Sequence, residues 1–403
     1  IISDNEIIKY GYDLKLQRNI LFHNGISLGG RLMDIELMHY LINPEKSHKV
    51  EILAKSYLDI NLEECLPEKK EEAPLSLFDE APEEEAAADE RFPEAVATLQ
   101  LGDAIWKEME EADLCGLYER MEEPLLAVLS DMEMEGVKID LPQLRKYALA
   151  LAAEMNDIQE RVREMAEEPA LNIMSPKQVG ILLYEKMNLD PKVKMKGAMR
   201  NYPTDEDTLN ALADKHPIIN EILEYRGVKK LLSTYIEPLP SYISSVTGKI
   251  HTTFNQALTA TGRLSSSKPN LQNIPIRTER GKEIRKAFIP SRPDGLIVSA
   301  DYSQIELRIM AHLSCDQHLI SAFRNGQDVH AMTAAKIFGV DIEEVTSDQR
   351  RIAKTANFGI MYGISAFGLS QRLHIGRAEA KKIIDDYFAN FPAISLQVWY
   401  SSS

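Results

Sequence analysis

Two segments near the C-terminal end carry side chains whose types and spacing suit phosphate chemistry. In the first, Asp301 directly follows the apolar run 296–300, which predicts a short buried strand with a carboxylate at its carboxyl end. Such a carboxylate suits a divalent cation, because the sheet fixes it while the following turn leaves the site open. Ser303 and Glu306 also have the spacing of a helix capping box, so Glu306 has a purely structural interpretation as well.

The second segment is a predicted helix in which basic and aromatic residues recur every four positions. Thr346 and Gln349 have the capping-box spacing that predicts its start. The recurring residues are Arg350, Lys354, Phe358 and Tyr362. Each step of four residues turns the side-chain direction by about 40° around the helix axis, so the four residues form one slanting stripe. The cations could bind phosphates while the rings stack on sugar and base. An amphipathic helix with a solvated basic end and core rings would have the same spacing.

The distribution of charge bears on the choice of partner. The net charge of −16 argues, taken alone, against a nucleic-acid partner. Residues 63–90 carry −10 of it, with twelve acids and two lysines, and are predicted to be a solvated insertion. Residues 251–403 instead hold 18 Lys and Arg against 14 Asp and Glu, and neither 238–278 nor 349–378 contains an acid. The basic potential is therefore local, as a polyanion partner requires, although a solvated basic face would give the same counts.

Local patterns predict the elements that must position these residues. Residues 1–62 mix short apolar runs with turn signals and predict a small α/β unit. Thr247 and Gly248 predict a hairpin turn, and 259–278 a structured loop. Caps and apolar spacings of three and four predict helices in the rest of the chain. The predicted helical segments are 94–135, 140–168, 217–236, a helix that begins at Ser175, a helix that begins at about Gln304, and all of the chain beyond 315.

Composition excludes several classes of protein. The cysteines, Cys65, Cys115 and Cys315, are too few and too far apart for a disulfide framework or a CxxC metal site. No apolar run approaches the length of about 20 residues that a membrane span needs, and the first residues do not resemble a signal peptide. These features predict a cytoplasmic protein. Both ends look cut, which predicts a piece of a longer chain.

Together, the motifs resemble those of a known family. Residues 300–308 (ADYSQIELR) resemble motif A of the family A DNA polymerases, and the pattern of 350–363 resembles their motif B. Residues 259–266 with 270–275 are similar to the family's template–primer loop, and 328–330 and 175–178 also fit. The resemblance covers most of the chain and is strongest over 240–392.

The resemblance implies an α/β multidomain fold. Its expected parts are an exonuclease-like (RNase H-like) α/β domain over 1–115 with the acidic insertion 63–90, a helical thumb over 116–240, a partial antiparallel-sheet palm over 241–312 and helical fingers over 313–403. It implies template-directed DNA synthesis in replication and repair, in which deoxynucleoside triphosphates extend the 3′-hydroxyl of a primer paired to a template. A monomer in the bacterial cytoplasm, at the nucleoid and away from membranes, is expected.

The resemblance also implies roles, residue by residue. Asp301 and the backbone carbonyl of Tyr302 would hold two Mg²⁺ ions. Arg350 and Lys354 would act in catalysis with Asp301 and would bind the triphosphate. The other implied nucleotide-binding residues are Gln304, Glu306, His330, Phe358 and Tyr362, and Glu306 would block a ribose 2′-hydroxyl. The implied DNA-binding residues are Arg263, Asn270, Gln272 and Asn273, on the minor-groove side, where base readout is nearly sequence-independent.

The sequence departs from the family pattern in two places. Motif C, a His-Asp-Glu, is absent because the chain contains no His-Asp pair, so we expect a truncated chain that is inactive alone. Gln17 stands where the second exonuclease motif has a metal-binding Asp, and an amide cannot supply the negative charge. Glu94 lies near the place of the third motif's Asp, while Asp34 is equally a helix cap. Proofreading is therefore expected to be lost.

Three functions of different class remain after these departures. A DNA polymerase is favoured. The second hypothesis, a 3′–5′ exonuclease, is opposed by Gln17, which stands where a metal-binding Asp is needed. The third hypothesis is a non-catalytic DNA-binding scaffold, which fits a chain that lacks motif C. A single-subunit RNA polymerase is a weaker alternative, because Glu306 would obstruct ribonucleotides.

Overall fold

A computed structural model describes residues 1–65, 92–195, 201–276, 278–373 and 375–394. The chain divides into two compact units, Ile1–Ile297 and Val298–Ser403. Nearly all of the predicted acidic insertion, from residue 66 onward, lies outside the described residues. The division into four domains is finer than these two units and stays a prediction. In the described part of the chain, no helix is both long enough and apolar enough to cross a membrane.

The first unit begins with a β-α-β arrangement, which agrees with the small α/β unit predicted over 1–62. Strand β1 (Lys9–Gly11) pairs in parallel with β2 (Leu32–Asp34), and α1 (Leu14–His23) connects them. The helices that follow are α2 (Ile35–Ile42), α3 (Val50–Leu53), α4 (Phe92–Glu111), α5 (Cys115–Leu117) and α6 (Glu123–Glu135), with wider helical turns at Ala54–Leu58 and Tyr118–Glu122 and a tighter one at Leu62–Cys65. Helix α4 approaches β1 closely at Gly102, where the ring of Tyr10 leaves no room for a Cβ atom.

A buried carboxylate joins three elements of this unit. Glu133 of α6 forms a buried ion pair with Lys15 of α1 and accepts a hydrogen bond from Asn19 Nδ2 at 2.7 Å. Its Oε1 also accepts from the backbone N–H of Phe254 at 2.7 Å, in strand β4 (Thr253–Asn255). Since each oxygen is hydrogen-bonded and the charge is paired, Glu133 meets the conditions for burying a carboxylate.

Long helices dominate the middle of the chain, as predicted. Helix α7 (Leu141–Ala166) begins at Asp140, whose side chain accepts from the N–H of Gln143 at 3.0 Å, and α7 packs against α10 (Ile218–Leu231). The shorter elements here are α8 (Pro176–Gly180), capped by Ser175, α9 (Glu206–Asn210), α11 (Glu279–Arg285), and helical turns at Ile181–Lys186, Leu232–Ile236 and Leu239–Tyr242. The predicted helices at 140–168 and 217–236 are therefore confirmed.

Two short antiparallel pairs complete the first unit. Strand β3 (Lys138–Ile139) pairs with β6 (Phe288–Ile289), and β4 pairs with β5 (Ser265–Ser267). Ile243 and Ile250 face each other across the predicted hairpin turn, where Gly248 has a φ of +68°. Strand β5 lies inside 259–278, which the sequence predicts only as a loop.

The second unit is helical. Its helices are α12 (Ile305–Ser314), α13 (Gln317–Arg324), α14 (Val329–Phe338), α15 (Ser347–Met361), α16 (Ala366–Leu373) and α17 (Arg377–Asn390), with one short turn at Ile342–Glu344. Its core includes Ile360, Leu369, Tyr387 and Phe391, all nearly inaccessible to solvent. The predicted helical structure beyond 315 is therefore confirmed over the described residues, 316–373 and 375–394.

The predicted strand at 296–300 is wrong. These residues have no regular structure, and the side chains of Leu296 and Val298 are 87% and 84% exposed. A strand needs a hydrogen-bonded neighbour, and none of the six strands in the described residues pairs with this run. Asp301 consequently lies in an extended loop and not at a strand end.

Candidate functional site

The helix that carries the basic and aromatic stripe begins as its sequence predicts. Thr346 Oγ1 accepts from the N–H of Gln349 at 3.2 Å, and Gln349 Oε1 accepts from the N–H of Thr346 at 2.9 Å. This reciprocal capping box fixes the start of α15. One face of α15 is buried, through Ala353, Ala356, Asn357, Gly359 and Ile360. The small side chains on that face let neighbouring helices pack closely against it.

The stripe itself lies outside the core. Arg350 and Lys354 are exposed, Phe358 is half-buried, and Tyr362 is 63% exposed at the end of the helix. The interpretation in which both rings belong to the core is therefore wrong. Two cations and two accessible rings remain on one edge of α15.

A second helix supplies a partner for the first cation of the stripe. Asp328 caps α14, and its Oδ1 accepts from the N–H groups of His330 at 2.9 Å and Ala331 at 3.2 Å. Its Oδ2 accepts from Arg350 Nε at 2.7 Å. Burial would raise the pKa of Asp328, but the Arg350 guanidinium and these backbone donors outweigh it and hold the pKa below its ordinary value. Asp328 thereby fixes the direction of Arg350.

His330 lies between the two helices. The residue is 3% exposed, and its Nδ1 is 3.0 Å from Nδ2 of Asn357 on the buried face of α15. Its ring centroid is 5.7 Å from that of Phe358. Burial lowers the pKa of His330; Asp328 opposes this effect, while Arg350 and Lys354 add to it. The ring is therefore neutral at neutral pH.

The predicted capping box of Ser303 and Glu306 is wrong. Helix α12 starts at Ile305 after Gln304, which has a left-handed φ of +53° and makes no side-chain cap. The Glu306 carboxylate instead accepts from the Tyr362 hydroxyl at 2.6 Å. This bond brings a residue of the first motif against a residue of the second. The capping box is absent because α12 begins after Gln304, one residue later than Ser303 would require.

Asp301 and Tyr302 are both exposed, and Tyr302 is 79% accessible. No group of three or more His, Cys, Asp or Glu side chains is placed to hold a metal ion within the described ranges. These residues alone therefore do not fit a two-ion site, because Asp301 brings one carboxylate where such a site needs several ligands.

The four predicted DNA-binding residues flank strand β5 in the first unit, with Arg263 before the strand and the other three after it. Tyr40 anchors the loop before this strand, because its hydroxyl donates to the carbonyl of Thr259 at 2.7 Å and accepts from the N–H of Gly262 at 3.0 Å. Arg263 follows this anchor and is exposed. The anchor fixes the backbone that carries the guanidinium.

The other three residues form a turn. Asn270 Oδ1 accepts from the N–H groups of Gln272 at 3.1 Å and Asn273 at 3.2 Å, while the side chains of Gln272 and Asn273 are exposed. A cavity of about 410 Å³ adjoins this turn and is lined by residues that include Tyr235, Tyr242, Lys268, Asn270 and Asn273. Lysine, amide and aromatic groups in one cavity suit a nucleic-acid backbone and its bases.

Two of the positions related to exonuclease motifs make hydrogen bonds to the local backbone. Gln17 Nε2 donates to the carbonyl of Tyr12 at 2.8 Å, and Glu94 is exposed. Asp34 caps α2 by accepting from the N–H of Glu36 at 3.0 Å, and burial raises its pKa to about 7. The interpretation of Asp34 as a helix cap is confirmed.

Sequence reasoning missed two polar residues beside His330. Thr333 and Asn357 are buried and hydrogen-bonded to each other across α14 and α15. Asn357 lies beside the stripe, at the edge of the buried face of α15, and its position gives no chemical signal until the neighbouring helix is known.

Comparison with known proteins agrees with the motifs. The model of DNA polymerase family A matches residues 141–399. DNA polymerase I of Bacillus subtilis is 44% identical over 98% of the chain, and that of Geobacillus stearothermophilus is 42% identical over 98%. A solved structure of the POL domain of Pol1 from M. smegmatis, in complex with DNA primer-template and dNTP, superposes with a TM-score of 0.83 at 36% identity over 98% of the chain.

The chain belongs to DNA polymerase family A. Its curated relatives are named DNA polymerase I, and the chain spans 44% of the length of the two described here and 65% of the solved chain.

Proposed function

We propose that the chain is part of a DNA-directed DNA polymerase that adds deoxynucleotides to a primer 3′-hydroxyl in replication and repair. One observation carries this proposal: the stripe on α15 lies outside the core, with its two cations exposed and the first of them held in place by Asp328. The names of the relatives, and the primer-template and dNTP in the structure from M. smegmatis, support the same substrates. A monomeric state belongs to the proposal.

The stripe and its neighbours would bind the incoming nucleotide. The planar guanidinium of Arg350 can bind two phosphate oxygens at once, and the ammonium of Lys354 supplies a compact positive charge. Such cations stabilise the negative charge that develops on the phosphates during nucleotidyl transfer. Phe358 and Tyr362 offer ring faces to sugar and base. Tyr362 also holds Glu306 at 2.6 Å, which would keep that carboxylate where a ribose 2′-hydroxyl would meet it. Gln304, adjacent to α12, would contact the same nucleotide.

The loop with Arg263 and the turn of Asn270, Gln272 and Asn273 would bind primer–template DNA. The side-chain oxygen of Asn270 accepts the hydrogen bonds of the turn, so the N–H groups of its amide would be the donors to the duplex. Donors of this kind suit the minor groove, where every base pair presents acceptors.

Family A polymerases use divalent metal ions, and we propose Mg²⁺ as the ion and two as the number. Asp301 and the carbonyl of Tyr302 would supply ligands, and the ions would polarise the reacting oxygens. Since the described residues alone do not compose the site, we expect the 403-residue chain to bind nucleotides and DNA without extending a primer. The assignment of 1–115 as exonuclease-like, 116–240 as thumb, 241–312 as palm and 313–403 as fingers belongs to the same proposal.

Nucleotide binding by the 403-residue chain tests the proposal without requiring catalysis. Lys354→Ala should weaken dGTP binding about ten-fold or more, since a charged hydrogen bond contributes about 1.5–3 kcal/mol. Arg351→Ala is the matched control, because Arg351 is an exposed cation on the same helix but off the stripe. Calorimetric titration of the wild type and both variants gives the affinities. Equal weakening by the two substitutions would reduce the stripe to a general basic face and overturn the proposal.

A further inference from the structure

We propose that Tyr40 is a positioning residue for primer–template DNA, because its hydroxyl holds the turn 259–262 that presents Arg263 to the duplex. This residue makes the N-terminal part of the chain, 1–62, a contributor to DNA binding, although all four assigned DNA-binding residues lie beyond 262. The inference rests on the proposed function, in which Arg263 binds the duplex.

The Tyr40 hydroxyl connects the two ends of this turn. It donates to the carbonyl of Thr259 at 2.7 Å and accepts from the N–H of Gly262 at 3.0 Å. A hydroxyl has one proton to donate and lone pairs to accept with, so it can make both bonds at once. The carbonyl of the first residue and the N–H of the fourth are also the groups that meet across the neck of a four-residue turn. One side chain of α2 therefore holds the turn closed.

The backbone of Arg263 is fixed through the same turn. Gly262 directly precedes Arg263, and the hydroxyl of Thr259 donates to the carbonyl of Arg263 at 2.6 Å. The backbone is thus tied on both sides of the Arg263 Cα atom, and each tie leads back to a residue that Tyr40 holds. A side chain on a fixed backbone has less freedom to lose when it binds, so this arrangement preorganises the guanidinium for DNA.

Tyr40 is itself held in place within the first unit. The residue is buried and belongs to α2, whose start Asp34 caps. Its ring meets the ring of His48 edge-on, with the centroids 5.8 Å apart and the planes at 85°. His48 is also buried, and its Nδ1 is 2.8 Å from Nδ1 of His39, which belongs to α2 as well. The hydroxyl therefore has its position before any DNA arrives.

Other groups attach the segment before the turn to the first unit. Gln256 is buried and donates through Nε2 to the carbonyl of Glu122 at 2.9 Å. Ala257 packs against a buried core of the same unit. Neither contact involves the turn 259–262. Removing the Tyr40 hydroxyl should therefore loosen the turn and leave the preceding segment attached.

Binding of a primer–template duplex by the 403-residue chain tests this role. Tyr40→Phe keeps the ring and its packing but removes both hydrogen bonds to the turn. Its affinity for a fluorescein-labelled duplex, measured by anisotropy at one fixed salt concentration, should fall about two- to ten-fold, the value of one ordinary hydrogen bond. Thr259→Val removes the second tie to Arg263 and should weaken binding by the same route, which covers the case in which Tyr40→Phe disturbs α2.

Tyr57→Phe is the matched control, because it removes another tyrosine hydroxyl from residues 1–62. That hydroxyl donates to Glu108 Oε2 at 2.6 Å rather than to the turn. Tyr57→Phe should leave the affinity for the duplex unchanged. The affinity for dGTP should be the same in the wild type and in all these variants, because the proposed nucleotide-binding residues belong to the second unit.

A double-mutant cycle separates positioning of Arg263 from general support of the fold. Arg263→Ala should weaken binding of the duplex. Adding Tyr40→Phe to Arg263→Ala should cause no further loss of affinity, because Tyr40 acts through the guanidinium.

Three results would overturn the inference. The first is an unchanged affinity in both Tyr40→Phe and Thr259→Val while Arg263→Ala weakens binding. The second is an equal loss of affinity in Tyr40→Phe and Tyr57→Phe. The third is a loss in the double variant equal to the sum of the two single losses. If Arg263→Ala leaves the affinity unchanged, the DNA-binding role proposed for Arg263 fails, and the inference fails with it.

Discussion

Two regions of the second unit carry the two motifs, and they differ in how completely the chain builds them. Helix α15 is capped, packed on one face and tied to α14 through Asp328 and His330. Residues 298–304 have no regular structure and expose Val298 and Tyr302. A helix forms its backbone hydrogen bonds within one continuous segment, whereas a strand forms its backbone hydrogen bonds with another segment of the chain. The helical motif is therefore built locally, and the other motif is not.

The largest expected loss of stability comes from shortening a buried side chain of α15. Ile360 on α15 is 2% exposed, so Ile360→Ala should cost about 2–5 kcal/mol through lost burial and the cavity left behind. Val298→Ala, at a position 84% exposed, should change stability by no more than about 0.5 kcal/mol. Hydrogen exchange of peptides from Ser347–Met361 measures the local free energy of opening. Comparable losses in the two variants would show that 298–304 is packed after all.

The two predicted capping boxes give the next comparison. Thr346→Ala removes the cap that exists and should destabilise α15 by about 0.5–2 kcal/mol. Ser303→Ala removes a hydroxyl that caps nothing at α12, and we expect little change. Urea unfolding followed by circular dichroism measures both. A loss in Ser303→Ala as large as in Thr346→Ala would restore the capping box at Ser303.

The Asp328–Arg350 ion pair should contribute less. Both side chains are partly exposed, at 38% and 45%, so solvent screens the pair, and Asp328→Asn, which keeps a capping side chain, should cost about 1 kcal/mol or less. The pKa of Asp328 is lowered on folding, so its contribution is present above the ordinary value of 3.8 and is lost as the pH falls through the lower folded-state value. Wild type and variant should therefore converge in stability in acid. A difference that persists below that range, or grows with salt, would contradict the ion-pair explanation.

The smallest effect is expected where the two regions meet. Tyr362→Phe removes the hydroxyl that donates to Glu306 but keeps the ring, and Tyr362 is 63% exposed, so global stability should change by about 0.5 kcal/mol or less. The amides of Ile305–Ser314, however, should exchange faster near the helix start, where the bond holds Glu306. Phe367→Leu is a control at another exposed ring, 59% accessible, on α16. Equal exchange in the wild type and Tyr362→Phe would mean that the bond does not order α12.

The sequence was most informative where structure is local. The capping box of α15 and the length of α7 depend on residues within one segment, and both follow from the sequence. The spacing of the stripe also follows from the sequence, but whether its rings are accessible or buried does not, because that depends on the neighbouring helices. The strand at 296–300 failed because its formation depends on a segment elsewhere in the chain. Glu306 was assigned to the wrong partner for the same reason: Ser303 is near in sequence, while Tyr362 is near only after folding. Asn357 could not be assigned, because its role depends on the side chains of α14.

The carboxylate of Glu133 bears on how this chain can be shortened. Lys15 and Asn19 lie on α1, within residues 1–62, whereas Glu133 and Phe254 belong to elements further along the chain. Removing residues 1–62 would leave a buried negative charge without its counter-ion, at a cost of about 3–5 kcal/mol. A trimmed protein would need a neutral residue at position 133 as well. Residues 1–62 therefore stabilise α6 and β4 through Lys15 and Asn19, apart from any chemistry of their own.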